Sequence, residues 1–345
     1  MVQLIKLMET IDSQVKPVPP SLMKALMAGF DAVSNHVGLI LFSISLDLLL
    51  WLGPHFFLSK LIQSVFNQAT ALPELNTSDM KDMIQASRDM WLLFGERFNL
   101  LSALRAFPVG VPSLMAGRSP TIFPGGIPLR LEVPSFGTTI GLWLLLTLFG
   151  MAAGTFYFIV VKQAALTKKL DLRQALVDWP WSLLQVIYLS LFFIALLVGV
   201  SIPFSCILSL LFLTGFSLGQ IAILIFGGIL AWLLFPLIFS PHGIFVNHRK
   251  MWPSVRDSIR LTRMTLPSTG LFILVVLLLS QGLDLLWNSP ADASWFTMVG
   301  VIGHAFITSG LLAATFVYYQ DADRFVQNLL HQAKLASVQD QMDKA

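Results

Sequence analysis

Three ionisable side chains fall inside long apolar runs: Asp47, Asp284 and His304. A carboxylate beside an imidazole can share or relay a proton near neutral pH. Ionisable groups within a membrane are costly unless paired or hydrated, and they often mark ion or proton paths. The competing reading is that these positions are near enough to the surface to be wetted, or that they tie helices together. A second group is Arg256, Arg260 and Arg263, on one helical stripe beside a stripe of Val255, Ile259 and Leu266. The arginines suit anionic lipid headgroups, each contributing about 1 kcal/mol. Retention of a basic juxtamembrane helix on one side of the bilayer explains them as well, and the same two readings apply to Lys168, Lys169 and Arg173.

The remaining reactive residue types form no recognisable site. His242 and His248 are six residues apart around a glycine, which is not a zinc spacing, and no acidic residue or cysteine stands near them to complete a site. Cys206 is the only cysteine, so neither an intrachain disulfide nor a cysteine metal cluster is expected. It lies in an apolar run and is expected to be a small buried side chain. Asn76-Thr77-Ser78 matches an N-glycosylation acceptor, a match without meaning in a bacterial cell. Phosphate-cradling glycine loops, nucleophile elbows and metalloprotease helices do not occur. No catalytic residue, metal or cofactor is expected, and the chain does not read as an enzyme.

The elements that hold these residues are membrane helices. Of 345 residues, 55% are hydrophobic and 12% charged, about half the charged share of a soluble domain. That much apolar surface must face lipid. A basic run with interleaved aromatics, as nucleic acid would require, is absent, and Lys6, Glu9, Asp12 and Lys16 interrupt the N-terminus before any signal-peptide core.

Residues 1–36 read as a polar tail followed by an interfacial helix capped at Ser21, and 37–52 as a first, rather short span, which the helix before it enters at a tilt. Residues 53–137 form one long outer loop. Within it Met80, Ile84, Trp91, Phe94, Phe98 and Leu101 make the apolar stripe of an amphipathic helix over 78–105. Prolines from Pro108 to Pro134 exclude regular helix beyond it, and Thr121 to Val133 suggests a hairpin turning at Pro124-Gly125-Gly126.

Five further spans occupy 138–319. The second contains Gly150-Met-Ala-Ala-Gly154, whose small-xxx-small spacing lets helix backbones approach. The third stops near Pro203, with 206–216 either extending a neighbour or forming a half-helix. The fourth kinks at Pro236, and the tail 320–345 is helical. The fold class is therefore all-α, a polytopic bundle of about six transmembrane helices with amphipathic interfacial helices and one long outer loop. The first and fifth spans end alike, Leu46-Asp47-Leu48-Leu49-Leu50-Trp51 against Leu283-Asp284-Leu285-Leu286-Trp287, a hint of internal repetition.

With six spans, 15 of the 22 Lys and Arg residues fall on the side that holds both termini. The short links opposite hold none, which predicts both termini in the cytoplasm. Trp51, Trp179, Trp181, Trp252, Trp287 and Trp295 fall near span ends, as an aromatic belt does.

Six spans with a basic segment like Phe245 to Thr265 (FVNHRKMWPSVRDSIRLTRMT) entering the fifth resemble a broad group of uncharacterised bacterial integral membrane proteins. Those in turn are similar to the membrane domain of some glycerophosphodiester phosphodiesterases. The resemblance implies a multi-pass protein of the cell inner membrane and carries across no active-site residue. The functional expectation is a non-enzymatic scaffold or lipid-interacting module. Its partners would be the bilayer, anionic lipid headgroups and a protein met through the outer loop, with no nucleic acid. A small transporter or channel using Asp47, Asp284 and His304 is the alternative.

Overall fold

The computed structural model describes residues 18–70, 78–120, 122–213 and 219–343. Among them the chain is an all-α bundle. In chain order the helices are α1 (Leu22–Asn35), α2 (Ile40–Leu52), α3 (Ser59–Thr70), α4 (Ser78–Arg97), α5 (Phe136–Thr167), α6 (Leu172–Leu213), α7 (Gly219–Leu234), α8 (Ser240–Asn247), α9 (Met251–Met264), α10 (Leu266–Trp287) and α11 (Thr297–Asp343). Five helical stretches are long and apolar enough to cross a membrane, and the bent pair Leu22–Asn35 with Val37–Leu52 makes a sixth if counted as one span. The bundle has a basic end, carrying the Lys- and Arg-rich links between helices, and an opposite loop end that carries the described residues between Gly53 and Ser135.

The entering helix does not tilt gently. It breaks by 90° before Val37, where α1 gives way to a 3-10 turn, Val37–Leu39. The Ser21 hydroxyl caps α1 by accepting the Lys24 N–H at 3.5 Å. Small residues then bring α1 against α11, since a methyl group on Gly29 would sit 2.5 Å from the Gly310 carbonyl oxygen and from the Ala314 nitrogen. Ala25-xxx-Gly29 and Gly310-xxx-Ala314 are thus the small-xxx-small pairs that join two helices here.

Gly150 and Gly154 have a different partner. A Cβ on Gly150 would lie 2.2 Å from the Leu104 carbonyl oxygen, and one on Gly154 2.5 Å from Gly110 Cα. The close approach expected between two spans is taken instead by a 3-10 turn and irregular chain from the long loop. These glycines are the fifteenth and nineteenth of the 32 residues of α5, so residues 98–118 descend to the middle of that helix. At the same depth the Ser190 hydroxyl, midway along α6, donates to the Phe107 carbonyl at 3.2 Å, and the Phe107 and Phe193 rings meet edge to face. Val109 and Val111, at 0% and 4% exposure, join the main core. The region read as an outer loop therefore has its centre inside the bundle.

Other expectations in this region also change. The amphipathic helix ends at Arg97 rather than at residue 105, because Asn99 starts a new 3-10 turn over Leu100–Leu104 by accepting the Leu101 N–H. The hairpin over 121–133 is reduced to one Phe123–Gly126 bridge, Thr121 itself lying outside the described residues. Strand β2 (Arg130–Glu132) pairs with β1 (His55–Phe57) instead, in parallel, with Phe56 opposite Leu131. A pairing between strands more than seventy residues apart leaves no local turn signal. Asn76 and Thr77 of the Asn76-Thr77-Ser78 acceptor, the N-terminal tail before Val18 and the last two residues also fall outside the described residues.

Proline does not end the third span. α6 runs on through Pro180 and Pro203 to Leu213, and with the start of α7 it forms an arm in which Phe204 stacks on Phe226 at 4.3 Å. Cys206 is exposed on this arm rather than buried, because the neighbouring helix covers only one side. The fourth span breaks at Pro236 into a 3-10 turn, Phe235–Leu237. Helix α9 supplies hydroxyls there: Ser258 donates to the Pro236 carbonyl at 2.8 Å and accepts the Phe239 N–H, and Ser254 donates to the Ser240 carbonyl at 2.6 Å. Side-chain hydroxyls thereby satisfy backbone groups that the proline break sets free.

Candidate functional site

Asp47 sits one turn and a half from the end of α2 and is fully buried. Its Oδ1 accepts the Ser113 hydroxyl at 2.5 Å and the Met115 N–H at 2.9 Å. Ser113 Oγ in turn accepts the Ala116 N–H. A carboxylate on one helix thus caps the single turn Met115–Arg118 of the loop, satisfying N–H groups that a helix start leaves free. The second carboxylate oxygen, Oδ2, has no partner.

Asp284, on the last turns of α10, and His304, on the first turns of α11, are brought together. His304 Nδ1 lies 2.8 Å from Asp284 Oδ1. Only 5% of the imidazole is exposed, against 25% of the Asp284 side chain, and Nε2 is buried without a partner among the described residues. Asp47 and His304 lie within electrostatic reach of each other, so the three residues share one end of the bundle. Asp284 and His304 form a direct pair, and Asp47 belongs to the loop.

Around the pair opens a cavity of about 480 Å³ whose polar lining includes Arg105, Ser113, Arg118, Gln281, Asn288 and His304. Arg118 pairs with Asp292 at 2.5 Å and donates to the Pro290 carbonyl, which ties the loop to the α10–α11 turn. The Trp51 indole N–H reaches the same turn at the Asp292 carbonyl, 3.1 Å away. Trp51 is thus a buried pin, not part of an interfacial belt, whereas Trp252 and Trp295 are well exposed. Arg105 is exposed and has no ion pair among the described residues. Further along α11 from His304 the core holds fully buried rings, Phe316 and, bonded to Ser309, Tyr157 among them.

Arg105, Ser113, Arg118, Gln281 and Asn288 were not legible as site residues. Ser113 and Arg118 lie in proline-rich chain without periodicity and Arg105 at the end of the stretch read as an amphipathic helix, and only the descent of the loop brings them to the pair. Beside the loop, His55 is 98% buried and its Nε2 lies 3.0 Å from the Leu50 carbonyl. Burial holds its imidazole below the ordinary histidine value, and Arg130 nearby adds to the effect.

The arginine stripe is divided. Arg260 and Arg249 both bind Asp257, at 2.6 and 2.5 Å, Arg256 is exposed, and Arg263 borders an apolar cleft. The two histidines flanking Gly243 do not converge: His242 Nε2 meets the Thr315 hydroxyl at 2.8 Å, while His248 faces Asp178 at 3.9 Å. No protein-family model, curated protein or solved structure matches the chain.

Proposed function

We propose that this multi-pass membrane protein is a non-enzymatic binding module of the cell inner membrane, with both termini cytoplasmic. Its loop-end cavity would face the cell exterior and receive a small anionic group such as a phosphate ester. The observation that carries this reading is the cavity itself. Three separate chain segments contribute its polar lining, and one of its guanidinium groups, Arg105, stands without an ion pair among the described residues. The buried core further along α11 favours a site open on one face over a pore.

The test is thermal unfolding of the purified full chain in detergent with inorganic phosphate or short-chain phosphatidylglycerol added. Stabilisation by either anion in the wild type, absent in Arg105→Gln, supports the reading and identifies the source of the anion. No stabilisation by either, or stabilisation by phosphate that is equal in both proteins, overturns it.

Proton-coupled transport is the second reading, favoured by the buried, unpartnered His304 Nε2 beside Asp284. It requires proton flux in proteoliposomes that His304→Ala and Asp284→Asn abolish. Flux that is absent from the wild type, or unaltered in the variants, rules it out.

A further inference from the structure

The face of α9 that meets the bundle carries a hydroxyl every fourth residue: Ser254, Ser258 and Thr262, each about 1% exposed. The first two are engaged by the broken α7–α8 helix. The third is not, since Thr262 Oγ1 is buried and has no partner among the described residues. A buried hydroxyl left unpaired costs on the order of 1–3 kcal/mol, so its survival points to a partner outside the chain. Thr262 borders a cleft of about 630 Å³ whose walls include Phe192, Leu196, Trp232 and Leu237. Beside it Arg263 also borders the cleft, at the end of α9, next to the start of the α10 span. None of the cleft's lining residues is a carboxylate, and Asp257, the nearest acid in sequence, is already held by Arg249 and Arg260.

We propose that this cleft is a binding site for one anionic phospholipid of the leaflet at the basic end. Its acyl chain would lie along the walls, and its phosphate would accept from the Arg263 guanidinium and the Thr262 hydroxyl. Arg256 and Arg260, on the same helix, are not part of the site: one faces away into the surroundings and the other is paired with Asp257. The site is separate from the loop-end cavity, and neither reading depends on the other.

Native mass spectrometry of the full chain, titrated with palmitoyl-oleoyl phosphatidylglycerol or the corresponding phosphatidylcholine, tests the proposal. The wild type should retain one phosphatidylglycerol at concentrations where phosphatidylcholine is lost. Arg263→Gln should weaken that binding at least about fivefold, the factor equivalent to the ~1 kcal/mol of one basic residue at an anionic surface. Arg256→Gln should leave it unchanged. Thr262→Val should weaken lipid binding while leaving the melting temperature of delipidated protein the same or higher, which a merely structural hydroxyl would not do. If Arg263→Gln does not fold, Leu196→Trp, which fills the cleft, must expel the lipid. Equal losses in Arg256→Gln and Arg263→Gln, equal retention of the two lipids by the wild type, or lipid retained in Leu196→Trp would each overturn the proposal.

Discussion

The descending loop and the α6–α7 arm are opposite answers to one constraint. Residues 98–118 hold two short helical turns in otherwise irregular, proline-bearing chain that reaches the depth of mid-helix, and they are enclosed: Val109 is fully buried, Asn99 and Asp47 accept backbone N–H groups, and two glycines of α5 make room. The arm is regular helix and almost unclothed, with Leu224 at 78% and Trp232 at 77% exposure. A helix satisfies its own backbone and can face lipid, whereas irregular backbone at membrane depth must be buried in protein or line a wet cavity. Here the loop does both, since its upper part borders the polar pocket and its lower part joins the core.

That contrast can be attacked at equivalent residues. The largest effect is expected from a glycine exchange. Gly154→Leu would drive a side chain into Gly110, while Gly228→Leu on the arm meets open space. The first should cost about 3 kcal/mol or more, as overpacking of a tight contact does, and the second less than about 0.5 kcal/mol. Thermal unfolding in detergent measures both, and similar melting temperatures would erase the distinction between the regions.

Next comes Asp47. Asp47→Ala strands the Ser113 hydroxyl and the Met115 N–H and should destabilise by roughly 2 kcal/mol, whereas Asp47→Asn keeps an acceptor and should lose less. Comparable melting of wild type and Asp47→Ala would show that the loop is not held by this carboxylate. On the arm, Ser209→Ala removes only an exposed bond to the Ser205 carbonyl and should be neutral within about 0.5 kcal/mol.

The smallest effect is a pH dependence beside the loop. The fold keeps His55 neutral, with its pKa below 6.5, while the unfolded chain takes up a proton there. Its contribution to stability is therefore complete above pH 6.5 and declines as the pH falls below that value. Melting between pH 8 and pH 5 should fall more for the wild type than for His55→Gln. An identical slope in both would remove His55 from the account.

Hydropathy made the membrane helices legible, because a span is defined by its own residues and needs no knowledge of its neighbours. The aspartate–histidine pairing at Asp284 and His304 was approachable for the same reason: two ionisable residues in adjacent spans at the same level have few other partners. What was not legible depends on distant chain. Gly150-xxx-Gly154 announces close approach without saying of what, and Asp47 in an apolar run does not reveal that it caps a turn near residue 115. The continuity of α6 through Pro203 was missed because proline was weighed as a helix terminator, whereas a long apolar helix can carry one without ending.

The central claim is that part of the long connection lies within the bundle. Single cysteines at Val109 and Ile127 in a Cys206→Ser background, in full-length protein reconstituted into nanodiscs, test it with a membrane-impermeant maleimide. Ile127, 69% exposed, belongs to the same connection as the fully buried Val109. The Ile127 cysteine should label at once and the Val109 cysteine only after unfolding in dodecyl sulfate. Equal labelling of the two in the folded protein would contradict the descent of the loop.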